Sequence, residues 1–217
     1  MRGSKQSDFT DALTQAEQSG ADIIALVLYG QDLVRAMHIA HSMGLQSKAQ
    51  IVVPHLVQTV IEGAGPTVMQ GVIGVEHWTW RVPEIENSET GKRFVKSFEE
   101  KYGILPSSAA ASAYTVVHQW ADAVRRSNSF QSSDVIMALE NHGYNLLKDT
   151  SRWRAFDHQN TQTVYVVRAN PREKVMEHPS KQDFYEVLER VQADQTVMTY
   201  DEWLDIRRQV NKPSQLE

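Results

Sequence analysis

The spacing of apolar residues changes period repeatedly along this chain. Phe9, Leu13 and Ala16 share one face at helical spacing, Asp8 is placed to cap the start, and Ser19-Gly20 ends the segment. Ala21 to Leu28 follows as a near-continuous apolar run of strand length, the pattern of a strand buried on both faces. Asp32 to Met43 returns to the helical period, with Leu33, Ala36, Met37 and Ala40 inward and Gly44 as its stop. Ile51-Val52-Val53, halted by Pro54, is a second strand, Leu56 to Glu62 a helix, and Gly71 to Val75 a third strand. Strands alternating with helices predict a doubly wound, Rossmann-like parallel α/β sheet, whose ligands sit beyond the carboxyl ends of the strands. Tyr29 and His55 each stand just past such an end.

The pattern changes after Val75. Glu76 to Asn87 has no clear period and reads as a crossover or loop carrying Trp78 and Trp80. Helices are predicted over Thr90 to Tyr102, Ser107 to Arg126 and Ser133 to Asn141. Thr161 to Arg168 and Phe184 to Val191 read as strands, and Tyr200 to Arg208 as a short terminal helix. The expected division is 1–77, 78–150 and 151–217.

Composition narrows the function. The 217 residues are 41% hydrophobic and 23% charged, enough for a real core, and the net charge of -5 carries no basic stripe for nucleic acid. The longest apolar run is far too short to span a bilayer. With no cysteine, disulfides, thiolate metal sites and a cysteine nucleophile are excluded. Gly63-Ala64-Gly65 lacks the third glycine of a dinucleotide loop and the lysine of a phosphate loop. No serine sits in a nucleophile elbow. His38 and His41 lie three apart on one helix without a carboxylate to complete a ligand set, and read as surface histidines. Glu84, Glu86 and Glu89 read as a solvated loop rather than paired catalytic acids. Trp120 and Trp203 read as packing residues. The expectation is a non-catalytic chain with no cofactor and no metal. From position alone, Tyr29 and His55 read equally as ligand contacts or as ordinary core and surface residues. Trp78 reads equally as a pocket wall or as packing.

The same segments carry a resemblance. Asp8-Phe9-Thr10, then Ser19 to Leu26, resembles the second-lobe segment of branched-chain amino acid and amide solute-binding proteins, the type I periplasmic binding class. Asp32 to Leu45, the Gly71-Val72 strand, Phe94 to Tyr102, Pro106 to Ala123, and Phe156-Asp157 before Val164 to Val167 continue it in order. The tail at Asp183 to Leu188 looks like a subgroup linked to aromatic acids. The resemblance implies two α/β lobes closing on a small organic solute (an amino acid, amide or aromatic acid). It also implies delivery to the membrane subunits of an ABC importer from the periplasm or cell exterior. A ligand-sensing domain of a regulator, with the same fold, is the alternative, and an α/β enzyme a more distant one. It further implies that the front of the fold precedes Met1, and that helices over 90–141 lack their sheet and seek a partner, such as a second copy of the chain. Met1-Arg2-Gly3-Ser4 by itself reads as an expression-vector leader or an internal start. Tyr29 matches the tyrosine that contacts ligand from the second lobe. His55 matches the position of a glutamate that pairs with a ligand ammonium. Leu56, beside it, and Trp78 complete the candidate ligand contacts. A neutral histidine supplies no full negative charge, which points toward a carboxylate, amide or aromatic acid.

Overall fold

The computed structural model describes residues 6–216. The leader-like Met1-Arg2-Gly3-Ser4 lies outside them. The elements run α1 (Gln6–Gln18), β1 (Ile23–Ala25), α2 (Gly30–Ser42), β2 (Gln50–Val52), α3 (Gln58–Ala64), α4 (Pro66–Met69) and β3 (Ile73–Glu76). Next come α5 (Val82–Ile85), α6 (Glu89–Tyr102), α7 (Ser108–Ser127), α8 (Ser132–Leu139), β4 (Gly143–Tyr144), β5 (Ser151–Trp153) and β6 (Asn160–Thr161). The chain finishes with β7 (Val164–Ala169), α9 (Arg172–Glu177), β8 (Tyr185–Val191) and α10 (Tyr200–Gln209). It divides into two compact units. One holds the described residues up to Thr79 with Tyr165–Arg190, and the other holds Trp80–Val164 with the described residues from Val191 onward.

The first unit is built on a sheet of order β1-β2-β3-β7-β8. The expected parallel part is β1 to β3, with Ile24 beside Ile51 and Val52 beside Ile73. The return strand β7 enters antiparallel, setting Gly74 against Val167 and Glu76 against Tyr165, so the sheet is mixed. Helix α2 packs on α1 and α3. Its inward residues Leu33, Met37 and Ala40 have no exposed surface and meet a core that includes Leu45, Ile51, Ile61 and Met69. Burial of each such side chain is worth about 1.5–3 kcal/mol.

Two local expectations change. Strand β1 is not buried on both faces: Ile24 and Leu26 are buried while Ile23 and Val27 are exposed. It lies at the edge of the sheet. Helix α1 begins at Gln6, so Asp8 lies within its first turn rather than at the residue before it, and its charge meets the positive helix end.

The second unit is mainly helical. Ser88 caps α6 by accepting from the Gly91 amide at 3.1 Å, and Gly103 stops it in the left-handed region at φ 69°. Phe94 lies between Phe98 and Tyr114, with ring centroids 5.8 and 4.6 Å away. Ser107 caps α7, which packs on α8. A small antiparallel sheet, β4-β5-β6, was not foreseen, because its strands are only two or three residues long. Thr199 and Glu202 form a capping box on α10, whose Tyr200 and Trp203 meet Phe156 edge-on. Trp203 is thus a packing residue, whereas Trp120 touches Phe130 yet stays half exposed. Glu84 and Glu89 are solvated around Lys92, as expected, but they stand in α5 and at the start of α6 rather than in a loop.

Candidate functional site

The loop between β2 and α3 lies over the end of β3 because its backbone is tied there. The Val53 amide donates to the Ile73 carbonyl at 2.9 Å, and the Leu56 amide to the Val75 carbonyl at 3.2 Å. The Tyr185 hydroxyl, from β8, donates to the Leu56 carbonyl at 2.8 Å. Burial pushes that phenol far above its ordinary range, with the charges of Glu76 and Glu62 adding to the effect, so it remains a neutral donor. These bonds hold His55 at the carboxyl edge of the parallel strands.

Glu76 ends β3. Along that strand Gly74 and Glu76 point to the same buried side. Gly74 faces Val53 and Leu56, and Glu76 faces His55. His55 Nε2 lies 3.4 Å from Glu76 Oε2, and His77 Nδ1 lies 3.8 Å from the same oxygen. The two imidazole centroids are 6.2 Å apart with their planes inclined by 52°. Glu76 keeps 1% of its side-chain surface, His55 40% and His77 25%, so a buried carboxyl group sits beneath two partly open imidazoles.

The hydrogen bond to Glu76 raises the His55 pKa above the usual histidine value. Burial opposes this, and the Glu76 charge adds to it. A raised folded-state pKa contributes stability that is complete below the unfolded value, about 6.5, and is lost as pH rises through the folded value. In metal-free protein, the His55 ring protons followed by NMR are therefore expected to titrate above the ordinary histidine range. In Glu76→Gln they should titrate lower. An unchanged midpoint in that variant would remove Glu76 as the cause.

Of the four residues singled out in the sequence, His55 alone belongs to this cluster. Tyr29 is exposed, at the N-cap of α2 beyond β1. Leu56 has no exposed surface and Trp78 almost none. Leu56 serves the loop through its backbone amide and carbonyl. His38 and His41 are exposed on α2, and His41 Nδ1 is 3.0 Å from Gln46 Oε1. Among the described residues, the one group of histidines and acids close enough to share a metal ion is His55, Glu76 and His77. Glu76, His77 and Tyr185 were not anticipated. The signal available was the alternation Gly74, Val75, Glu76, which continues the buried face of a strand into an acid.

The profile of the periplasmic binding protein family matches residues 3–174. The chain belongs to this family. Solved structures carry the same fold. A branched-chain amino acid ABC transporter periplasmic ligand-binding protein from Burkholderia xenovorans superposes with a TM-score of 0.77 at 24% identity, over 92% of this chain and 51% of its own. A periplasmic binding protein from Burkholderia mallei gives 0.76 at 22%, over 90% and 50%. A solute-binding protein of an ABC transporter from Rhodopseudomonas palustris, solved with 3,4-dihydroxybenzoic acid, gives 0.66 at 15%, over 86% and 49%. This periplasmic binding protein chain thus spans about half the length of those structures and has the type I fold. A search of curated proteins finds no match. The buried carboxyl group acts on His55 itself: it lies 3.4 Å from the imidazole and raises its pKa.

Proposed function

We propose that this chain is part of the solute-binding component of an ABC importer. On this reading it presents Tyr29 and His55 to a small organic solute and passes that solute, in the periplasm or outside the cell, to the importer's membrane subunits. The observation that carries this is the position of His55, tied by backbone bonds at the carboxyl edge of β1 to β3, where open α/β sheets bind ligands. With Nε2 turned to Glu76, the imidazole has Nδ1 left for a polar group of the solute. A carboxylic acid or amide, and among these an aromatic acid, fits such a contact. The dihydroxybenzoic acid in the Rhodopseudomonas palustris protein supports that class.

Calorimetry against hydroxybenzoates, small amides, leucine and valine tests this. Aromatic or organic acids are expected to bind at least tenfold more tightly than leucine, and His55→Ala should lose at least tenfold. Tight binding of leucine or valine with none of the acids would reverse the solute class. Binding unaffected by both Tyr29→Ala and His55→Ala would move the site elsewhere.

We also propose that the apolar face of the second unit is covered by a second copy of the chain. Val117, Trp120, Phe130 and Met137 are exposed there, Phe130 by 79%, and contiguous apolar patches are uncommon on soluble monomers. Sedimentation should show a dimer that Val117→Glu with Trp120→Glu dissociates. A stable, cooperative monomer in the parent protein would count against it.

A further inference from the structure

We propose that His55, Glu76 and His77 form a binding site for one divalent transition-metal ion of the zinc class. The donor set is two imidazole nitrogens and one carboxylate oxygen, which suits a borderline cation rather than calcium or magnesium. All three donor atoms lie within 4.8 Å of one another. Zinc bonds of about 2.0–2.2 Å in tetrahedral array set neighbouring donors about 3.3–3.6 Å apart. His55 and Glu76 already stand at 3.4 Å, and His77 and Glu76 at 3.8 Å. The two imidazoles, within 4.8 Å of each other, close on the ion by side-chain rotation.

The backbone beneath the trio is fixed on each side. Glu76 is paired with Tyr165 in the sheet, and His77 follows it directly. His55 rides on the loop tied at Val53 and Leu56. Ligands held on rigid elements lose little freedom when the ion arrives. The charge pattern also fits. A buried carboxylate favours a cation, and the two imidazoles are open enough to admit one. The same openness leaves a fourth coordination position to water or to an oxygen of a bound molecule, as in sites with three protein ligands. His38 and His41 lack this arrangement and serve as an internal control. The site shares His55 with the solute contact, but it does not depend on that contact, because His77 has no part there.

The test is a competition titration of the chelator-treated protein with zinc chloride against a chromophoric chelator. One equivalent of zinc should bind. His55→Gln and His77→Gln should each weaken it at least tenfold, while His38→Gln with His41→Gln leaves it unchanged. Circular dichroism on each variant checks that the fold persists. Cobalt(II) should give d–d absorption bands of a low-coordinate nitrogen and oxygen site in the parent protein and lose them in His77→Gln. No stoichiometric binding, or a titration that His55→Gln and His77→Gln both leave unchanged, overturns the site. The chelator-treated His77→Gln variant should keep its affinity for organic acids, so a failed metal site and a failed solute reading give different results.

Discussion

Leu56→Ala is expected to lower the unfolding free energy by about 2–5 kcal/mol, the range for removing a large apolar side chain from a sealed core. Leu56 has no exposed surface, and its β-carbon lies against the β3 backbone at Gly74. Truncation leaves its backbone bonds to Val75 and Tyr185 in place but opens a void under the loop that carries His55. The midpoint of urea unfolding should fall sharply, and solute affinity should fall with it as the loop loosens. If Leu56 met solute instead, the variant would lose affinity while its unfolding midpoint stayed where it was.

Gly74→Ala should cost about 1–3 kcal/mol or more, by overpacking rather than by a cavity. A β-carbon there would stand 2.6 Å from the Leu56 β-carbon, 2.8 Å from Val53 Cγ2 and 3.1 Å from the Val53 carbonyl oxygen. Two of those three atoms have no rotamer to move into, so strand or loop must shift. Because the loop and β3 together carry His55 and Glu76, the shift separates the very groups that meet at 3.4 Å. Thermal unfolding and NMR of the His55 ring report the two effects independently. A Gly74→Ala protein with the parent's melting temperature would show that the loop yields freely.

The core of the first unit was legible because its periods are strong. Leu33, Ala36, Met37 and Ala40 fall at helical spacing and are all buried. The edges were less legible, since Ala21 to Leu28 has the composition of a central strand and only topology makes β1 an edge. Tyr29 and His55 were placed past strand ends by counting elements. Glu76 was not, because an acid after Gly-Val-Ile-Gly-Val resembles the start of a loop. What keeps it in the strand is pairing with Tyr165, a partner far along the chain that local patterning does not reveal. Tyr185 is hidden in the same way: its bond to the Leu56 carbonyl joins residues 129 apart.

The pairing of Glu76 with Tyr165 also bears on how the molecule is assembled in time. The chain leaves the first unit after Thr79 and re-enters it at Tyr165, so residues 80–164 are an insertion whose two ends meet at neighbouring strands. The entropy lost on closing a loop grows only logarithmically with its length, about 0.6 kcal/mol per doubling, so the insertion is thermodynamically cheap to carry. Kinetically it is not, because β1 to β3 can pair as soon as they are made, while β7 and β8 must wait for everything between. Until they arrive, Glu76 ends an unpaired strand edge and the Leu56 carbonyl lacks its phenol. The sheet edge that carries His55 and Glu76 is then among the last surfaces to take shape, and a chain interrupted before Tyr165 would carry both residues without the strand that pairs with Glu76.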